Sequence, residues 1–315
     1  MKETELQKNF EKLSGSIKII NKLWLKLIVF GAMGMVAVGI AYSSFYFEGA
    51  AFIATLILCA AACLTGFVLR SVLIFKKKNL KTLISENVTL NVLKTVFEVS
   101  EYSAKDSIEV SVIRNSNLIV EDWNRCTGND FVCGCYKGYK FQFSDVLLEE
   151  EVQEEMRETD DDGATSTRYS STYVKRFKGQ WLIIETSKEL PAWLCLRKKG
   201  GREFLKSNIE TENAAFNKQF QIETSDPHIG LLILTQHFME VISAVDRKAQ
   251  GEIFMFFSGK QIYIAIDNNR DLFEADDKKD MATDISILRE RHENEIKYLT
   301  DIMDLLLGIE KEFEG

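Results

Sequence analysis

The sequence predicts an α+β protein: an N-terminal two-helix transmembrane hairpin followed by a cytoplasmic mixed, mainly antiparallel sheet domain with flanking helices. Three observations lead there. Two apolar runs, Leu27 to Phe47 and Ala50 to Leu69, are separated only by Glu48 and Gly49. From about Ser107 the spacing of apolar residues shifts from helical toward a period of two. The charge balance also changes sign. Up to Lys81 there are 11 Lys and Arg against 4 Asp and Glu, a net of +7; beyond it there are 28 against 43, a net of −15.

Each apolar run has about the 20 residues a helix needs to cross a bilayer core, so residues 23–75 read as a hairpin of two spans. Residues 1–22 read as an amphipathic juxtamembrane helix, with Leu6, Phe10, Leu13 and Ile17 at helical steps. Residues 76–104 read as a helical connector, in which Leu80, Leu83, Ile84, Val88, Leu93, Val96 and Phe97 form a matching stripe. The two stripes are expected to pack on each other rather than lie on headgroups. Lys8, Lys12, Lys18, Lys22 and Lys26 precede the first span, and Arg70, Lys76, Lys77, Lys78 and Lys81 follow the second. By the positive-inside rule both termini and the soluble domain are cytoplasmic in a multi-pass membrane protein. The first run is too long and too deep in the chain for a cleaved secretory signal. Gly31, Gly34 and Gly39, with Ala50, Ala54, Ala60, Ala61 and Ala62 on the second span, supply small surfaces for close helix packing. Neither span has an ionisable residue at its centre, which favours an anchor over a pore.

The cytoplasmic α+β domain is placed at 105–281. Ile108, Val110 and Val112 alternate with polar residues, as do Tyr139, Phe141 and Phe143; compact runs follow at Trp181 to Ile184 and Trp193 to Leu196. These read as strands. Phe220 and Ile222 suggest another. Ile253 to Phe257 and Gln261 to Ile266 around Ser258-Gly259-Lys260 read as a hairpin. One helix is expected from Asp226 as N-cap, with Pro227 in its first turn and Leu231, Leu234, Phe238, Val241, Ile242 and Val245 inward. Residues 148–173 are expected to be an acidic exposed loop, since Glu149 to Asp162 holds nine acids and only Arg157 as a base. Residues 282–315 read as a C-terminal amphipathic helix, whose stripe suits packing on its own domain or on a second copy.

Chemistry-bearing motifs are sparse. Cys59 and Cys63 lie in the second span as small apolar groups. Cys126, Cys133 and Cys135 are the candidate metal ligands, with Cys195 distant, yet Cys-Gly-Cys at 133 to 135 lacks the bite of a zinc knuckle and no second pair exists. Asp160-Asp161-Asp162-Gly163 and Asp267-Asn268-Asn269-Arg270-Asp271 both fail the EF-hand pattern; in the second, Leu272 replaces the turn glycine and Lys278 stands where the closing acid belongs. Ser258-Gly259-Lys260 is no phosphate loop. Of His228, His237 and His292, His237 is the candidate acid/base, beside Thr235, Gln236 and Glu240, although a structural role is the commoner fate of such a histidine. No cofactor is expected.

Asn129-Asp130-Phe131-Val132-Cys133-Gly134, Phe141-Gln142-Phe143-Ser144-Asp145, Phe177-Lys178-Gly179, Phe216-Asn217-Lys218-Gln219-Phe220, Leu234-Thr235-Gln236-His237-Phe238-Met239 and Leu272-Phe273-Glu274 follow one another in an order that resembles the DUF3137 family of uncharacterised bacterial membrane proteins. The resemblance covers the hairpin and most of the region from about Leu80 to Glu274. It implies an inner-membrane protein with a cytoplasmic α+β domain and carries over no catalytic residues. The acidic stretch and the final helix lie beyond the recognised pattern. Phe141, Phe143, Phe177, Phe220, Phe238 and Phe273 read as core residues, Gly134 and Gly179 as turn or close-approach positions, and Asp145 as a capping or turn acid.

The acidic domain repels phosphate backbones, which excludes nucleic acid as a partner; the basic collar serves topology and lipid contact. The expected partners are the bilayer and another membrane or cytoplasmic protein, and a homo-oligomer is compatible with the final helix. Two functions are weighed: a membrane-anchored protein-binding or scaffold module, and a membrane-anchored hydrolase-like enzyme with dispersed active-site residues. An oligomeric pore is a lesser third.

Overall fold

The computed structural model describes residues 3–45, 50–159, 165–199, 208–274 and 285–310. The expected turn at Glu48-Gly49, the Asp160 to Gly163 run and Lys278 lie outside them. The chain divides into two compact units, residues 1–91 with 275–291 and residues 92–274 with 292–315.

In the first unit, α1 (Glu3–Phe45) and α2 (Ala50–Ile84) are single uninterrupted helices. At about 1.5 Å per residue, 43 residues extend α1 to roughly 65 Å, about twice a bilayer core. The amphipathic segment and the first span are therefore one helix. Leu6, Phe10 and Ile17 on α1 and Leu73, Leu80 and Ile84 on α2 are buried, as the expectation of mutually packed stripes requires. Along the apolar stretch the large side chains face outward, with Phe30 and Leu58 each 70% exposed. Both helices are long and apolar enough to cross a membrane. Gly31 and Gly34 set their approach: a Cβ on either would lie 2.6 Å from the sulfur of Cys63 or Cys59, respectively. The two cysteines thus fill the helix crossing. A π-turn at Ser85–Thr89 leads from α2 into α3 (Leu90–Val96).

The second unit is built on a six-stranded sheet of β1 (Glu98–Ser103), β2 (Arg125–Tyr136), β3 (Tyr139–Thr159), β4 (Thr165–Lys198), β5 (Phe220–Thr224) and β6 (Glu252–Asp267). Strands β1 to β5 lie in chain order and β6 also pairs with β4; every pairing is antiparallel. Both faces are covered. One row, Val146, Leu148, Trp181, Ile183 and Ala265, meets Ile108, Ile113, Leu118 and Ile119. The alternate row, with Phe141, Phe143, Leu182, Ile184 and Ile264, is buried as well. Phe141 stacks with Phe97 at 4.8 Å and Phe143 meets Phe273 edge-on at 6.2 Å.

Several elements differ from the sequence expectation. The alternation at Ile108 to Val112 belongs to a short helix, α4 (Val110–Ser116); it starts on the carbonyl of Glu109 and stops at Asn117, whose φ of 49° an asparagine tolerates. Three alternating residues are too few to fix a period. The end of the supposed helical connector is strand β1. The acidic loop is strand too: β3 and β4 stay paired from Leu148↔Phe177 out to Thr159↔Thr165. The two halves of the supposed hairpin at Ser258-Gly259-Lys260 pair with β4 rather than with each other, through Glu185↔Gln261 and Leu194↔Phe257. Gly259, at φ 57°, lies in the bend of β6 while β4 absorbs extra residues by register shifts.

The single helix expected from Asp226 is two, α6 (Pro227–Ile233) and α7 (Gln236–Ala249), bent by 75°. Each has its own cap. The Asp226 carboxylate accepts from the amides of His228 and Ile229, and the Thr235 hydroxyl accepts from that of Phe238. Either residue replaced by alanine is expected to lower stability by about 1 kcal/mol in chemical denaturation. Helix α5 (Ala214–Gln219) and residues 292–310 of α8 (Ile285–Glu310) complete the unit. In the α8 segment of this unit Ile296, Leu299, Ile302, Met303, Leu306 and Ile309 are all buried. The stripe of the last helix is satisfied within its own chain.

Candidate functional site

A polar row crosses the sheet beside the apolar row of Phe143, Leu182 and Ile264. Asn129 on β2 stands opposite Asp145 on β3, Asp145 opposite Gln180 on β4, and Gln180 opposite Ile266 on β6. Immediately after Asn129 the β2 register shifts, and Asp130 adopts φ 54°. That bulge brings the Asp130 carboxylate toward Asp145. The segment after β6 closes over the row and adds Asp271. Carboxylate oxygens of Asp130, Asp145 and Asp271 all lie within 4.8 Å of one another.

The row is tightly wired. The Asn129 amide donates to Asp130 at 2.7 Å and to Asp271 at 2.9 Å. Tyr102 donates its hydroxyl to Asp130 at 2.9 Å. Asp145 is 3% exposed and accepts from the Gln180 side-chain amide at 3.1 Å and from the Leu272 backbone amide at 2.8 Å. Gln180 is itself held by Asn268. Gly179 permits the crowding, because a Cβ there would lie 2.0 Å from the Ile266 carbonyl oxygen. Beside the row is a cavity of about 170 Å³ lined by Asp145, Asp271, Asn129, Lys178 and Arg270 together with Thr127, Gly128, Val146 and Leu147.

Burial, followed by the nearby Asp271 charge, pushes the Asp145 carboxyl well above the ordinary carboxylate range; the amides of Gln180 and Leu272 oppose the rise. Carboxylates this close repel one another unless hydrogen-bond donors, a proton or a cation offset their charge. The arrangement offers one oxygen from each Asp to a hard cation, or a shared proton for acid/base chemistry at the cavity wall. Arg270 also lies over the ring of Tyr298 at 5.5 Å, and burial pushes that phenol to about 12.

None of the candidates chosen from sequence is in this group. His237 is exposed in the first turn of α7 and does not line the cavity. Cys126, Cys133 and Cys135 all lie on β2. Strand rise puts Cys126 roughly 23 Å from Cys133 and roughly 30 Å from Cys135, so they share no metal site. Cys133 and Cys135 stand opposite Glu101 and Glu98 on β1; Cys126 is half-buried, and burial raises its thiol. Cys195 is buried on β4 with a thiol pushed up to about 11, in keeping with a packing role. The three aspartates did occur in the sequence, two in the family-like motifs and one in the rejected EF-hand run. Only the strand register brings them together.

Hairpin, antiparallel sheet and buried polar row define the class: an α+β protein with an apolar two-helix segment at its N-terminus. Residues 170–307 match the family model described as protein of unknown function (DUF3137). The match takes in most of α8, which the sequence motifs had left outside the family pattern; the motifs from Asn129 to Asp145 and the helical hairpin lie outside the matched residues. No curated protein matches the chain. Among solved structures, the mycobacterial trehalose monomycolate transport factor A, TtfA, is similar at 10% identity with a TM-score of 0.32, over 70% of this chain and 92% of that one.

Proposed function

We propose that the chain is a membrane-anchored protein-binding module, with both termini and the sheet domain on the cytoplasmic side of a bacterial inner membrane. The observation that carries this reading is the distal part of β3 and β4. Beyond Glu149 on one strand and before Gly179 on the other, they pair only with each other among the described residues. They extend from the sheet as a two-stranded ribbon. A ribbon of this kind is marginal alone, and its exposed backbone edges and the side chain of Tyr169, 69% exposed, offer what a partner protein binds. The net charge of −15 after Lys81 keeps nucleic acid and anionic headgroups away.

The test is crosslinking in intact membranes followed by affinity isolation and mass spectrometry. The full chain is compared with one in which residues 152–172 are replaced by a two-residue turn. Cutting off α8 is not a suitable comparison, because its buried stripe belongs to the core. A specific partner lost with the ribbon supports the module; an unchanged or empty capture removes it.

A second reading, a membrane-anchored hydrolase-like enzyme, draws on the cavity and on the raised Asp145 carboxyl beside Asp271. Turnover of nitrophenyl esters or phosphates that disappears in Asp271→Asn would favour it.

A further inference from the structure

The module reading leaves open which edge of the ribbon is used and by what, and the inference here rests on that reading. We infer that the outer edge of β3 takes up an extended, Lys- and Arg-rich segment of a partner protein as an added antiparallel or parallel strand.

The edge is identified by where the sheet stops. The last β2 pairing is Arg125↔Glu149. Asn124 then ends the ladder, donating its amide to the Glu149 carbonyl at 3.1 Å and accepting from the Glu151 amide through its side chain at 2.9 Å. Backbone groups of Glu149 and Glu151 therefore point outward, and the period of two assigns the same direction to those of Gln153, Glu155 and Arg157. No strand meets these groups among the described residues.

The occupant follows from charge. Residues 149–159 contain six acids and one base, whereas the strand that β3 has on its inner side, residues 165–178, contains four bases and no acid. The inner pairing is already charge-matched, with Arg176 donating to Glu150 at 3.0 Å through Nε. Arg125 ends the outer side in the same way, paired with Glu149 at 3.3 Å and lying 4.8 Å from the Tyr173 ring. A second strand laid along β3 meets the same acid-rich sequence. Cross-strand opposite charges stabilise such a pairing and like charges oppose it, so an acidic segment, an anionic lipid surface and a second β3 are all disfavoured. Basic residues of another copy are a poorer source: those at 70–81 are helical in α2, and those of β4 already face β3.

The test uses the full chain in detergent micelles and three fluorescein-labelled octapeptides. One alternates Lys with Thr, one replaces Lys by Glu, and one is the Lys peptide with alternate amides N-methylated so that it cannot pair as a strand. Anisotropy is expected to show binding of the Lys peptide, with the other two at least tenfold weaker and the affinity falling with salt. Gln153→Pro removes an outward amide and leaves the β4 ladder intact; it is expected to weaken the Lys peptide at least tenfold at an unchanged thermal midpoint. Gln153→Thr keeps the amide and should bind as the wild type does. Equal binding of the N-methylated peptide, or no effect of Gln153→Pro, overturns the inference. So does self-association that Gln153→Pro abolishes, since the occupant is then a second copy. A photo-crosslinker at Val152 and another at Leu232 on α6, in intact membranes, separate this inference from the reading it rests on. A partner captured only at Leu232 overturns the β3 edge and leaves the module standing, whereas no capture at either position overturns both.

Discussion

Replacing Asp145 by asparagine is expected to stabilise the second unit relative to the wild type progressively as pH rises above the ordinary carboxylate range. The sign follows from linkage. A carboxyl whose folded value lies above its unfolded value of about 3.9 binds more protons in the native state between the two values. Its contribution is fully present below the unfolded value and is lost as pH rises through the folded one. Other carboxylates add slopes of their own, so the diagnostic quantity is the difference between variant and wild type, read from urea denaturation at several pH values. Asparagine keeps one acceptor for two donors, the Gln180 side chain and the Leu272 amide, and loses about 1 kcal/mol at low pH for that reason. Alanine has no acceptor. Asp145→Ala is expected to destabilise by about 2–4 kcal/mol, combining two stranded buried donors with a small cavity. A difference that stays flat with pH would mean that the three aspartates are relieved by something other than a proton.

The second large effect is expected at Arg197, whose side chain is 4% exposed. It pairs with Glu223 at 2.8 Å and donates to the carbonyls of Asn117 at 3.1 Å and Leu118 at 3.4 Å. One guanidinium thus joins β5, β4 and the C-terminal end of α4, where the helix leaves carbonyls unsatisfied. Arg197→Met is expected to lower unfolding free energy by about 3–5 kcal/mol, because it leaves Glu223 uncompensated and two carbonyls without a donor. Arg197→Met combined with Glu223→Met should recover a substantial part of that loss, since the pair's charges are then both gone. Denaturant midpoints of the two single variants and the double variant measure the coupling. A double variant no better than the worse single would place the effect in the carbonyl contacts rather than the ion pair.

The core was legible in the sequence and the site was not, for reasons visible at particular residues. Phe141, Phe143, Phe177, Phe220, Phe238 and Phe273 read as core, and all are buried, because apolar size in an alternating run has one physical outcome. Gly134 and Gly179 read as close-approach positions. A Cβ at Gly134 would come within 2.5 Å of the Glu98 carbonyl oxygen. Asp145 read as a capping acid, and it does hold the Leu272 amide, yet its place in a transverse polar row depends on registers between strands far apart in the chain. A shift of one residue in any of them turns a side chain to the opposite face. Asp130 needs, in addition, a bulge that no local pattern announces. The acidic stretch misled for another reason: charge is a signal of exposure, and an exposed ribbon and an exposed loop share it.

The position of β4 has a consequence for how the chain is made. Its distal half is paired with β3, but its central part is completed by β6, whose residues 261–267 lie some eighty positions later. Chains emerge N-terminus first at about 5–20 residues per second. The apolar pair α1 and α2 is therefore finished on the order of ten seconds before the sheet can close. From the completion of β4 at Lys198 until Asp267 is made, roughly 3–14 s at that rate, β4 waits with one edge open, the condition under which nascent sheets aggregate. The β3 residues already alongside this part of β4, Phe141 to Val146, include one acid, Asp145, so the waiting edge depends on the arrival of β6 rather than on charge.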